Sequence, residues 1–141
     1  MCIWDFNSAC DNYSHPVTEP QHFELQYNVW YYMLSKDEDF MNAVIERYRA
    51  LRQSVLSDAY LNGYMDAVVE WLGPAVDRNF SVWGYALDKD MISPAERNPH
   101  THAGAVAQMK RFCTERGAWM DEHIDILRQY SHESRNKKFN H

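Results

Sequence analysis

The residues with the clearest chemical potential lie at the amino end, in Trp4-Asp5-Phe6-Asn7-Ser8-Ala9-Cys10-Asp11-Asn12-Tyr13. A carboxylate there follows an apolar triplet and enters a polar loop, a placement that presents Asp5 to a cation. Mg²⁺ prefers hard oxygen ligands and commonly takes one or two carboxylates together with phosphate oxygens and water. Asp5 and Asn7 therefore form half of a candidate magnesium site. A plainer reading competes with it. Asp and Asn side chains also satisfy turn backbone locally, and from spacing alone that is the stronger reading.

The remaining candidates carry less. His100 and His102, with His15, His22, His123, His132 and His141, offer imidazoles, but no spacing enforces the convergence that a metal requires. Cys2, Cys10 and Cys113 are odd in number and form no CxxC pair, so they read as reduced thiols and not as a disulfide framework or zinc site. Cys113 and His123 stand about 15 Å apart along one helix, too far for a nucleophilic pair. Trp30, Tyr31, Tyr32, Trp71, Trp83 and Trp119 could be a stacking surface for bases or sugars. They lie on helical apolar stripes without a basic groove, so core packing is expected for them. Arg47, Arg49 and Arg52 are expected on a solvated face or in intramolecular ion pairs, and Arg78-Asn79 and Arg116 to Asp121 are expected to fix helix contacts.

The elements that must position these residues are helical. Residues 1–22, with Pro16 and Pro20, read as an irregular loop. From Phe23 the apolar spacing becomes three and four: Phe23, Tyr27, Trp30, Tyr31 and Leu34. Asp37 is an N-cap for a helix over about 38–56, with Phe40, Val44, Tyr48, Leu51 and Val55 on one face and Glu38, Asn42, Arg49 and Gln53 on the other. Ser57 or Asp58 caps a third helix with the stripe Leu61, Met65, Val68 and Leu72, which Gly73-Pro74 breaks or kinks. A segment through Trp83 follows, then a long surface connection over 84–100. A last helix runs from about Thr101 to Gln129, with Val106, Met109, Cys113, Met120, Ile124 and Leu127 on one side. Phe112, Trp119 and Ile126 widen that stripe. The expected fold is all-α, a bundle of four to five helices with an irregular N-terminal loop.

Composition agrees with one globular domain. The chain has 141 residues, 45% hydrophobic and 24% charged, with 5 Gly and 5 Pro, which excludes a low-complexity or collagen-like polypeptide. No apolar run is long enough for a membrane span and no signal-peptide pattern opens the chain, so no membrane association is expected and the expected location is cytoplasmic. The net charge of −6 argues against a nucleic-acid partner. Arg128, Arg135, Lys137 and Lys138 against Glu133 make the last stretch basic, and a frayed, solvated tail is its expected form.

The segment WDFNSACDNY resembles the Trp-Asp-aromatic-Asp/Asn…Gly-Asn-Tyr stretch of the CotH-like kinase family, the atypical spore-coat protein kinases. Downstream elements follow in the family's order. They are Trp30, Asp39-Phe40, the basic run Arg47-Tyr48-Arg49-Ala50-Leu51-Arg52, Arg78-Asn79 with Trp83, and Arg116-Gly117-Ala118-Trp119-Met120-Asp121. The resemblance implies ATP-dependent phosphorylation of protein side chains, with Asp5 as a metal-binding carboxylate and Asn7 assisting. In the family, the nucleotide-binding strands, a phosphate-contacting basic residue and the catalytic Asp precede the segment beginning at Trp4, so this chain resembles the C-terminal half. Asn7 stands where a second Asp is frequent, and Asp11 where Gly is frequent.

The resemblance thus implies residues 1–22 as a metal-site-like segment, 23–130 as the helical domain and 131–141 as the basic tail. Mg²⁺ and ATP are its cofactors, not held by this chain alone. Partners are a protein substrate or the missing N-terminal kinase half. Removing that half is expected to expose apolar surface around Trp4, Phe6 and the following aromatic helix, which a homodimer would bury. Full-length relatives are expected at the spore coat or cell surface. The alternative is a non-catalytic helical interaction module derived from such a kinase.

Overall fold

The computed structural model describes Cys10, Asn12, Phe23 and residues 29–132. Asp5 and Asn7, most of the 1–22 segment and the tail from 133 onward lie outside the described residues. Every described element is helical: α1 (Val29–Leu34), α2 (Glu38–Arg52), α3 (Asp58–Leu72), α4 (Ala75–Trp83) and α5 (His102–His123). Short 3₁₀ segments cover Gly84–Leu87, Ala95–Arg97 and Ile124–Tyr130. The described residues are all-α, as expected.

The helix starts follow side-chain caps. Asp37 accepts from the Phe40 N–H at 2.7 Å, and Glu38 and Asp39 place negative charge at the positive end of α2. Ser57, one of the two caps expected for α3, accepts from Tyr60 at 3.2 Å, and Thr101 accepts from Gly104 at 3.0 Å to start α5. Gly73, with φ of 46°, ends α3 in a conformation that a Cβ disfavours, and Pro74 then precedes α4, where a missing N–H is harmless.

Two helix ends differ from expectation. α2 stops at Arg52 instead of 56, because Leu51 accepts from the N–H groups of both Ser54 and Leu56 at 2.9 Å. The Ser54 hydroxyl also bonds back to the carbonyls of Ala50 and Leu51, offering the backbone an alternative to another turn. The last helix is α-helical only to His123 and then tightens. With three residues per turn, Ile124, Leu127 and Tyr130 fall on one edge. Ile124 and Leu127 are buried and Tyr130 packs beside them, whereas Ile126, which an α-helical period would bring toward the core, is exposed.

That edge meets α2. Met41, Ile45, Ile124 and Leu127 form the buried core, flanked by Phe40, Val44, Tyr48, Met120, Tyr130 and Phe23. α3 packs against α5. The expectation that the aromatic residues fill the core is corrected: Trp30, Tyr31, Tyr32, Trp71 and Trp83 are exposed, and only Trp119 of that set is half-buried. The buried volume is small and aliphatic, set by the α2 stripe and the 3₁₀ edge, and the exposed rings lie on α1, α3 and α4, none of which contributes a buried residue.

The 84–100 connection runs over the surface but is closely tied. The Asn98 side chain donates to the carbonyls of Ile92 at 2.6 Å and Ala95 at 2.8 Å and accepts from the Ile92 N–H at 2.8 Å. Gln108 of α5 donates to the Arg97 carbonyl at 3.0 Å. Among the described residues no helix is long and apolar enough to cross a membrane.

Candidate functional site

The two segments that carried the motif signal, the basic run of α2 and Arg116 to Asp121 of α5, meet in space. Arg52 lies at the carboxyl end of α2, where a cation complements the helix dipole. Its Nε and Nη2 donate to Asp121 at 3.0 and 2.8 Å, a bidentate geometry that suits a planar guanidinium. Its Nη1 donates to Asp58 at 2.9 Å and to the Leu56 carbonyl at 2.6 Å. One side chain therefore ties together α2, the following turn, the first residue of α3 and the last turn of α5.

Gly117 makes room for this clamp. A Cβ on Gly117 would stand 2.8 Å from Arg52 Nη1 and 2.9 Å from Cζ, inside van der Waals contact. Tyr48 completes it, donating to Asp121 at 2.9 Å, with the Gly117 carbonyl at 3.3 Å. Burial, then the adjacent Asp121 carboxylate, push the Tyr48 phenol up from its ordinary value. The Arg52 hydrogen bonds hold the Asp121 carboxyl below the usual carboxylate range. The Asp121 and Asp58 bonds push Arg52 further up. Arg52 is half-buried, its side chain 12% exposed, while both carboxylates open to solvent.

A second cluster lies one turn further along the seam. Asp125 pairs with Arg49 at 2.5 Å and with Arg128, and Arg128 Nε donates to Asn42 at 2.9 Å. A third surrounds Trp119. His123 stacks on it with centroids 4.5 Å apart, Phe23 tilts against it at 4.8 Å, and Arg116 sits over both the Trp119 and Phe23 rings. His100 is an exposed loop residue beside Asp90, and His102 packs against Phe80.

These arrangements fasten helices. The guanidinium groups of Arg49, Arg52 and Arg128 are directed at carboxylates within the chain, and that of Arg116 at aromatic faces. The expected intramolecular ion pairs of Arg49 and Arg52, and the helix-fixing role of Arg116 and Asp121, are what the geometry contains. Sequence reasoning named Arg52 and Asp121 separately and missed Asp58, Asn42 and Asp125 as partners. Apart from the Asp125–Arg128 pair, three positions apart, these contacts join residues separated by 6 to 86 positions, and no local period signals them.

Among the described residues, no three or more His, Cys, Asp or Glu side chains converge on a point where a metal would sit. A concavity of about 170 Å³ lies between α1 and α2, lined by Tyr31, Ser35, Phe40, Met41 and Val44. It is apolar and well below the size of a typical ligand pocket. Its Ser35 hydroxyl already donates to the Tyr32 carbonyl at 2.7 Å. The candidate ligands Asp5 and Asn7 lie outside the described residues.

Comparison with curated proteins and with solved structures gives no match. The family described as CotH kinase protein matches residues 1–120, from the Trp-Asp segment through the Arg52, Gly117 and Trp119 elements just described. The chain belongs to the CotH kinase protein family.

Proposed function

We propose that this chain is the helical half of a CotH-type protein kinase and that its α2–α5 clamp is a rigid buttress behind the Asp5 segment. In this reading Asp5 and Asn7 contribute oxygen ligands to Mg²⁺ bound with ATP, and the acceptor is a protein side chain. The ion, when bound, neutralises charge on the phosphate oxygens. The chain's own helices orient the loop that carries Asp5 and add to the surface that meets the protein substrate.

The observation that carries the reading is the engagement of the family-matched arginines. Four of the hydrogen bonds that Arg52 can donate are spent inside the fold, and Arg116 lies on Trp119. Residues so engaged fix geometry and do not reach for a triphosphate. Phosphate contacts then come from the nucleotide-binding half that the resemblance places ahead of Trp4, and the 141-residue chain does not transfer phosphate by itself.

Calorimetric titration of the chain with ATP and Mg²⁺, beside a radiolabelled γ-phosphate transfer assay, tests this. The expected result is no magnesium-dependent nucleotide heat and no transfer. Joined to the strand-bearing half of an intact CotH kinase, the chain should support transfer that Asp5→Ala abolishes. Transfer by the 141 residues alone that depends on Asp5 would overturn the division of labour. Transfer by the joined protein that survives Asp5→Ala would overturn the metal role.

A second reading, a non-catalytic helical interaction module, is favoured by the exposure of α1, where Val29 and Trp30 are 74% and 73% exposed and Met33 is 61% exposed. An exposed apolar face of this kind is what a homodimer would bury. Light scattering that returns a monomer for the 141-residue chain would remove the homodimer.

A further inference from the structure

An α-helix turns about 100° per residue, which puts Tyr60, Tyr64 and Trp71 of α3 within about 40° of one another, in a ridge about 16 Å long. The three are 51%, 61% and 83% exposed. Tyr60 and Tyr64 stack with centroids 6.4 Å apart and planes 5° apart, so part of the ridge is held in shape by its own contact. Gly63 and Ala67, also exposed, line a hollow beside it, on the side of α3 away from Leu61, Met65 and Val68. We propose that this face joins two copies of the chain, with α3 lying antiparallel to α3 of the second copy about a two-fold axis that passes between positions 63 and 64.

The occupant follows from the helix itself. With the axis between 63 and 64, position 60 of one copy faces position 67 of the other, and 64 faces 63. Each tyrosine then meets a hollow made by a residue with little or no side chain. A two-fold axis in the plane of the contact keeps both ridges on the same side of it, and the six rings interleave along the helices. Such matching of ridge to hollow within one helix is what an isologous contact requires. Gly63 fits the same reading. Glycine weakens a helix interior, and a Cβ at Gly63 would meet no atom within 4 Å, so no neighbour within the described residues calls for it. Close approach of a second backbone does.

Charge does not oppose the pairing. Asp66, at the flank of the face, is already held by Lys110 at 2.5 Å. Glu70 faces position 57 of the second copy, so the two Glu70 residues stand about 20 Å apart along the helices, beyond the screening length of physiological salt. The area is modest. Aromatic side chains bury about 150–250 Å² each, so the exposed parts of these three supply about 400 Å² per copy. With the hollow and its flanks the pair removes about 1,000 Å² from water in total, the lower edge of specific interfaces. The dimer is therefore weak and reversible, with a dissociation constant of about 10–100 µM.

Sedimentation velocity of the whole chain, from about 1 to 500 µM, tests this. The expected result is a shift from monomer to dimer with no larger species. Gly63→Leu fills the hollow at a position where the chain itself has open space, and it should weaken association about tenfold or more. Trp71→Ser should weaken it by a similar factor, whereas Tyr64→Phe, which keeps the ring, should leave it unchanged. Circular dichroism checks that each variant keeps its helix content, and Trp71→Ser carries the test if Gly63→Leu does not fold. Trp30→Ser, on the exposed α1, should leave the dimer intact. A monomer across the whole range would overturn the proposal. So would association that survives both Gly63→Leu and Trp71→Ser, association lost in Trp30→Ser, or open-ended polymers in place of a dimer. None of these readouts depends on phosphoryl transfer, so the kinase reading and the α3 interface stand or fall separately.

Discussion

The seam between α2 and α5 and the outer faces of α1, α3 and α4 draw on similar residue types and use them in opposite ways. At the seam, each arginine meets a carboxylate or an aromatic face, and four aliphatic side chains close the interior beneath them. On the outer faces, Trp30, Trp71, Trp83, Tyr60 and Tyr64 are exposed, although Tyr60 and Tyr64 stack at 6.4 Å. The contrast teaches that apolar character alone did not decide burial in this chain. A partner of the right shape did: the 3₁₀ edge of Ile124, Leu127 and Tyr130 fits the α2 stripe and has no counterpart on α4.

If the seam holds the stability, the largest effect should come from its centre. Ile45 is 0% exposed. Ile45→Ala should lower the unfolding free energy by about 3 kcal/mol, the usual result of deleting a buried aliphatic side chain. Urea denaturation monitored by circular dichroism measures it. A loss below about 1 kcal/mol would place the stability elsewhere and dissolve the contrast.

Gly117→Ala sets two effects against each other. Replacing a mid-helix glycine by alanine favours α5 by about 1 kcal/mol. The new Cβ would also force the Arg52 guanidinium off Asp121 or Asp58, and charged hydrogen bonds of this kind are worth about 1.5–3 kcal/mol each. Net destabilisation of about 1–2 kcal/mol is expected. In an Arg52→Ala background the clash is gone, and the same substitution should become stabilising. That reversal of sign in a double-mutant cycle is the sharpest reading of the clamp.

Asp37→Ala should lower stability by about 1 kcal/mol through loss of the α2 cap. A smaller effect concerns acid. Arg52 holds Asp121 below the ordinary carboxylate range, so the folded chain binds this proton less readily than the unfolded one. The stabilisation is then fully present above the unfolded value of about 4 and is lost as pH falls through the depressed folded value. Because Asp121 is open to solvent, less than about 1 kcal/mol is at stake. The stability difference between the native chain and Asp121→Asn should therefore shrink as denaturation is repeated from neutral pH into strong acid. A difference that grows in acid would reverse the assigned sign.

Much of this fold can be read from local signals, since Asp37, Ser57, Thr101 and Gly73-Pro74 each mark a helix boundary within a few residues. The interior was harder to place. The α2 stripe reads as Phe40, Val44 and Tyr48, yet the buried residues are Met41 and Ile45, one position further round. Apolar residues at 40, 41, 44, 45 and 48 make a face too wide for periodicity to choose its centre, and the partner edge chooses it. Asn42 and Arg49, on the expected polar face, turn toward Arg128 and Asp125 for the same reason. The kinase resemblance came from motif order, which marked Arg52 and Asp121 without their pairing.

The smallest expected effect is at Trp71, which is 83% exposed on α3. In an isolated chain Trp71→Ser should alter the unfolding free energy by no more than about 0.5 kcal/mol, the range of surface positions without special contacts. The informative variable is protein concentration. A ring that is exposed in one copy and covered in an assembly contributes through mass action, so its loss would matter more as concentration rises. Denaturation of both proteins across a wide concentration range should give superimposable curves if Trp71 stays in water. A gap that widens with concentration would show that the outer face has a partner of its own, and that the contrast between the two regions belongs to the isolated chain.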